Sequence, residues 1–162
     1  QKGVLDLIEI WSIVLKTLPL AKLAIIGIGP LTDTIKKNIS SNNLNSNIEM
    51  LGYKDGFEKY EVFKDSKIIL HPATFDSGGM AAAEGMAWGL PGVSYDLESL
   101  KTYYPKGMIK SDINSKINFS ENIIKLLTDK SCYNKNSEEA RFLIVSQWSW
   151  AKRFNDILNI IK

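Results

Sequence analysis

Leu23-Ala24-Ile25-Ile26-Gly27-Ile28-Gly29-Pro30 is the stretch that decides the fold. Four apolar residues without polar alternation suit a strand buried on both faces, and two glycines and a proline end it abruptly. Such strands belong to parallel sheets. Upstream, Val4, Leu7, Ile8, Trp11, Val14, Leu15 and Leu18 recur three or four apart, so the spacing predicts an amphipathic helix closed by Pro19. Downstream, a polar, helix-compatible stretch leads into residues 40–47, whose Ser and Asn side chains compete with regular backbone pairing and predict a surface loop. The alternation then repeats. Residues 48–51, 68–70 and 92–95 read as strands, and 56–64 and 79–88 as helices. After Lys110 the pattern changes to closing helices at 123–127, 138–145 and 150–161, the last with Trp150, Phe154, Ile157, Leu158 and Ile161 on one stripe. Parallel strands need crossover helices, and those cover the sheet faces. The expected fold is therefore α/β, a Rossmann-like three-layer α/β/α domain with a parallel sheet. No repeat, low-complexity tract or long linker divides it, so residues 1–162 read as one domain.

Composition narrows the chemistry. With 44% hydrophobic and 23% charged residues the chain is an ordinary globular sequence, not a disordered one. A net charge of +2 and the lack of a dense basic run argue against nucleic acid as a partner. Cys132 has no partner for an internal disulfide, and His71 is the single histidine, too few soft ligands for a zinc cluster. No metal is expected. The most apolar stretch, 23–31, falls short of the ~20 residues that cross a bilayer, so no transmembrane segment is expected. The chain opens on Gln1 without a charged-then-apolar leader and reads as a piece of something longer.

In an open parallel sheet, ligands collect beyond the carboxyl ends of the strands. Four places stand out. At Gly27 and Gly29 missing side chains let backbone approach a phosphate or a ring, ahead of a helix N-terminus. A dinucleotide fingerprint would need a third glycine at Thr32 and an acidic residue closing the next strand, but Glu49 lies inside that strand. Gly52, Tyr53 and Gly56 form a second turn, which also reads as an ordinary strand-to-helix bend. The third, His71 to Pro91, carries most information: Asp76, Ser77, Gly78 and Gly79 lead into the small-residue helix Met80-Ala81-Ala82-Ala83-Glu84. Free N–H groups at Gly79 and Met80 would face an anion, while Asp76 and Glu84 could accept hydrogen bonds from paired hydroxyls of a ribose or sugar. Equally, Asp76 could cap the helix and Glu84 be solvated. Fourth, Lys2-Gly3 precedes the first helix, where a lysine is functional only if it reaches a phosphate crevice. His71 reads as packing, since one histidine without partners builds no triad.

These residues together resemble a known family. Lys2-Gly3, Ile25 to Pro30, Met50-Leu51-Gly52-Tyr53, Asp76 with Glu84 eight positions later, the run Glu84-Gly85-Met86-Ala87-Trp88-Gly89-Leu90-Pro91 and Trp150 look like the C-terminal domain of GT-B glycosyltransferases of family GT4. The resemblance implies one half of a GT-B fold that binds a nucleotide sugar (NDP-sugar, UDP or GDP) and transfers the glycosyl group with retention. The pathway would be polysaccharide, glycolipid or cell-surface glycan synthesis. By similarity Glu84 holds the ribose hydroxyls, Asp76 contacts the donor sugar and Lys2 binds the diphosphate. The amides of Gly78, Gly79 and Met80, beside Ser77, meet the sugar and diphosphate, and Tyr53 follows the glycine of the base-reading loop. No cofactor or metal is implied. The family also has a strand with a Gly-Arg ending ahead of the lysine, central in its sheet, and an acceptor domain for a glycan or lipid. Both fall outside this sequence, so negligible transferase activity is expected of it alone. A cytoplasmic location, or one at the inner membrane surface, follows from the resemblance. Three features depart from the family pattern: Asp76 replaces Glu, Gly78 stands where Phe is usual, and Gly92 follows Pro91, which should weaken its strand. Other readings are an NAD-binding or sugar-nucleotide epimerase Rossmann domain, and a non-catalytic remnant.

Overall fold

The computed structural model describes residues 1–161, the side chain of Trp150 excepted. The role of Trp150 in the resemblance thus lies outside the described residues. Helix α1 (Val4–Thr17) buries Leu7, Ile8, Ile10, Trp11 and Val14. It leads into β1 (Leu23–Ile26), α2 (Thr32–Ser41) and β2 (Ile48–Gly52), and β2 pairs with β1 in parallel. Next come α3 (Gly56–Lys64), β3 (Ile69–His71), α4 (Met80–Ala87), β4 (Gly92–Tyr95), α5 (Glu98–Tyr103) and β5 (Met108–Ser111). The last three strands form a second parallel ladder in the order β3-β4-β5. Helices α6 (Lys116–Thr128), α7 (Lys130–Gln147) and α8 (Trp150–Ile161) close the described chain.

Side chains alternate across β4, and that alternation builds the layers. Val93 and Tyr95 enter one core cluster with α1, α2 and Phe119, Ile123 and Leu126 of α6. Gly92 faces the other way, toward Met108, which belongs to a second cluster with Ala82, Ala83 and Met86 of α4, Leu100, Tyr104 and Ala140 of α7. Helices therefore cover both faces of the second ladder, the three-layer arrangement expected. Gly92 pairs on both sides, with Ile69 of β3 and Met108 of β5. A Cβ at this position would lie 2.8 Å from the Met108 Cε, so the missing side chain is the space that Met108 fills.

The sheet itself is in two parts, not the single one expected. Among the described residues no ladder joins β1 to β3. A cleft of about 1400 Å³ runs between them, from the loops before both strands to Lys2, Asp76 and Gly79 beyond their ends. Its walls include Ile25 of β1, Leu70 of β3, and Leu7 and Trp11 of α1.

Other differences are local. The loop expected over 40–47 starts later, because α2 continues to Ser41, with the Ser41 hydroxyl and the Asn42 side-chain amide both donating to the carbonyl of Asn38. Leu44 then tucks into the core. Helices α6 and α7 run well beyond the expected segments. Their starts are fixed by side-chain caps: the Ser115 hydroxyl accepts from the Asn118 N–H at 3.2 Å and the Asp129 carboxylate from the Cys132 N–H at 2.9 Å. In α8 Phe154, Ile157 and Ile161 of the expected stripe are exposed, Phe154 at 62% and Ile157 at 57%, while Leu158 is half-buried. No helix among the described residues is long and apolar enough to cross a membrane.

Candidate functional site

At the carboxyl end of β3 the chain turns through Pro72 and Ala73 toward Asp76, then enters α4 at Gly79. Gly79 adopts the left-handed conformation, φ 59°, and a Cβ there would press on Leu100 at 3.1 Å and on the Tyr104 ring at 3.3 Å. Glycine is thus required on two counts. The Asp76 carboxylate closes the turn: Oδ1 accepts from the N–H of Gly78 at 3.0 Å and of Gly79 at 2.7 Å. Oδ2 accepts from the Lys2 ammonium at 2.6 Å, and His71 Nε2 lies 3.3 Å from it without hydrogen-bond alignment.

Lys2 arrives because the start of the chain lies against the β3 exit. The Gln1 carbonyl accepts from the Thr74 N–H at 3.0 Å. Gly3, φ 68°, sits so close to Pro72 that a Cβ would fall 1.9 Å from its carbonyl oxygen. The Asp76 side chain is 7% exposed while that of Lys2 is 73% exposed. Burial alone would raise the Asp76 pKa, but the Gly78 N–H, Lys2, the Gly79 N–H and His71 together hold it well below the usual carboxylate range. Burial also pushes the His71 pKa down, aided by Lys2 and opposed by Asp76, so the imidazole is neutral at pH 7.

Further along the same cleft, Glu84 projects from α4 and meets the Lys59 ammonium of α3 at 3.2 Å. Lys59 also lies 3.5 Å from Asp55, which caps α3 by accepting from the Gly56 N–H. The hydrogen bond that Lys59 donates to Glu84 is the main reason that the Lys59 pKa is raised.

The structure thus brings Lys2, Asp76, Ser77, Gly78, Gly79, Met80 and Glu84 to one cleft. Gly27, Gly29, Gly52 and Tyr53 are not part of its lining. They sit at the ends of β1 and β2, where the Gly27 N–H donates to the Gly52 carbonyl at 2.7 Å and Tyr53 is 69% exposed. One expectation needs correcting. The Gly79 N–H does not face open space, because the side chain of Asp76 reaches back to take it along with that of Gly78. Met80 and Ala81, the first two residues of α4, keep N–H groups with no acceptor among the described residues. No group of three or more His, Cys, Asp or Glu among the described residues is placed to hold a metal ion.

Sequence reasoning missed four residues around this turn: Lys59, Ser99, Tyr104 and Lys110. The Ser99 hydroxyl donates to the Asp76 carbonyl at 2.6 Å. The Tyr104 hydroxyl approaches the carbonyls of Gly78 and Gly79 at 2.7 and 2.8 Å. Lys110 donates to the Tyr104 carbonyl at 2.9 Å, and burial brings its pKa down to about 8. A sequence cue existed, since residues after β4 emerge beside the β3 exit in a parallel sheet, but the unrecognised α5 and β5 concealed it.

The sequence family described as glycosyl transferases group 1 matches residues 1–158. The chain is 28% identical over 171 residues to a poly(glycerol-phosphate) alpha-glucosyltransferase of Bacillus subtilis, covering 99% of this chain and 25% of that protein. It is 24% identical over 161 residues to a poly(ribitol-phosphate) alpha-N-acetylglucosaminyltransferase of Staphylococcus aureus, covering 95% and 31%. A point mutant of S. aureus TarM, solved with fondaparinux, alpha-GlcNAc-glycerol and UDP, superposes with a TM-score of 0.88 at 22% identity. That superposition covers 98% of this chain and 32% of TarM. The chain spans between a quarter and a third of the length of these curated relatives.

Proposed function

The chain belongs to the glycosyl transferases group 1 family, and from that premise we propose that it is the donor-binding domain of a retaining glycosyltransferase that takes an NDP-sugar. The observation that carries this reading is the gathering of Lys2, the N-terminus of α4 and Glu84 around one cleft at the ends of parallel strands. The diphosphate would lie against the unbonded N–H groups of Met80 and Ala81, with the exposed Lys2 ammonium beside it. As the glycosyl bond breaks, negative charge grows on the leaving diphosphate, and fixed donors stabilise that charge most where it is largest. These donors need no metal for the task. Glu84 would accept from the ribose hydroxyls, with Lys59 orienting its carboxylate. Asp76, held by its own loop, would present its remaining acceptor capacity to the donor sugar. Gly27, Gly29, Gly52 and Tyr53 form the neighbouring rim, where the base would rest.

The acceptor falls to the rest of the protein. The activities of the B. subtilis and S. aureus relatives favour a polyol-phosphate polymer among cell-surface glycans, and a cytoplasmic reaction, at the inner membrane surface, goes with that reading. Transfer by this chain alone is expected to be negligible.

Calorimetric titration of the chain with UDP, GDP and NAD tests the proposal. One nucleoside diphosphate should bind, and Glu84→Ala should weaken it roughly ten- to hundredfold, the loss of hydrogen bonds to a charged acceptor. NAD binding in preference to either would support the dinucleotide reading instead, and no binding of any of the three would defeat both.

A further inference from the structure

Tyr104 follows α5, and its ring is fully buried against the turn that carries Asp76. Its hydroxyl has one hydrogen and two carbonyl oxygens within reach, those of Gly78 and Gly79. A trans peptide is planar, with its C=O and N–H pointing in opposite directions. Drawing the Gly78 carbonyl inward therefore turns the Gly79 N–H outward, toward Asp76. Drawing the Gly79 carbonyl inward turns the Met80 N–H outward, toward the cleft. Two neighbouring contacts hold the hydroxyl in place. Lys110 ties down the Tyr104 backbone carbonyl, and the Ser99 hydroxyl fixes the Asp76 carbonyl at the start of the turn.

We propose that Tyr104 is a positioning residue for anion binding, aiming the Met80 N–H at the anion and the Gly79 N–H at Asp76 from behind the loop without touching the ligand. This rests on the proposed function, since the anion would be the diphosphate of the donor. It also predicts what Tyr104 does not do: the nucleoside part of the ligand lies beyond its reach.

The test compares the wild-type chain with Tyr104→Phe, which keeps the ring and removes the hydroxyl. Both are titrated with UDP and GDP, and with uridine and guanosine. Affinity for the diphosphate that binds should fall roughly five-fold, the factor for one neutral hydrogen bond, while affinity for its nucleoside stays within about two-fold. Equal losses for both would mean general loosening and would overturn the inference, as would no loss at all. A second readout is independent of nucleotide. Asp76 accepts from the Gly79 N–H that Tyr104 orients, so its carboxyl titration, followed by NMR, should move upward in Tyr104→Phe, and an unchanged titration overturns the inference. Site-specific Tyr104→3-fluorotyrosine, a stronger donor of nearly the same shape, should move that titration further down, and its failure to do so counts against the inference even if Tyr104→Phe does not fold. If the wild-type chain binds neither diphosphate, the proposed function fails, while the Asp76 titration still decides the role of Tyr104.

Discussion

Asp76 shows how one carboxylate can serve a fold and a site together. Sequence reading offered two roles for it, helix cap or sugar contact; the geometry shows instead a carboxylate that closes the turn ahead of α4, whose N-cap, Gly79, has no side-chain cap, and the sugar contact stays a proposal. Asp76→Ala leaves the Gly78 and Gly79 N–H groups without their acceptor, so stability should fall by about 1–3 kcal/mol in denaturant unfolding. The pH dependence has a definite sign. The folded pKa is depressed below the unfolded value of 3.8, so the contribution is present above that value and lost as pH falls through the folded one. Thermal unfolding of the wild type should therefore drop on acidification below about pH 4, and Asp76→Asn should flatten that part of the curve. An unchanged acid limb in the variant would show that the carboxylate is not held as described. His71, read from sequence as packing, is indeed buried, yet its contact with Asp76 was not foreseeable because the partner lies across a turn.

At the scale of elements, periodicity revealed those that carry their own apolar pattern. Helix α1 and strands β1 and β4 needed nothing more. Strand β5, Met108–Ser111, has Lys110 and Ser111 among four residues, and it is a strand because β4 offers it a register. Helix α7 is largely polar, with Ala140 its one fully buried residue, so its 18 residues leave little hydrophobic periodicity to read. The break between β1 and β3 has a consequence at this scale. Among the described residues each strand pairs on one side only, and apolar side chains line the space between them. Unpaired strand edges beside an apolar slot accept a further strand. A chain extended ahead of Gln1 by a short apolar segment able to run parallel to β1 should melt at higher temperature than the 162-residue chain, and equal melting temperatures would rule out a strand-shaped slot.

At the scale of the whole molecule, stability depends on two clusters that share the second ladder as their partition. Phe119 is fully buried and meets the Tyr95 ring edge-on with centroids 5.0 Å apart. Phe119→Ala should cost about 3–5 kcal/mol, a large share of a stability of ordinary size, and broaden or abolish cooperative thermal unfolding. A loss below about 1 kcal/mol would mean that the cluster collapses onto the vacancy, contrary to its close packing. The sequence by itself determined the α/β class, the parallel strands, the glycine turn after β3 and the identity of Lys2, Asp76 and Glu84 as candidates, because apolar period and glycine placement are local properties of the chain. Only the tertiary structure decided that Asp76 consumes the Gly78 and Gly79 amides, that Lys59 pairs with Glu84, and that Tyr104 braces the turn from behind. The last two contacts join residues 25 or 26 positions apart, and the first depends on how the surrounding elements orient a short loop. Their energies follow from distances that no local pattern encodes.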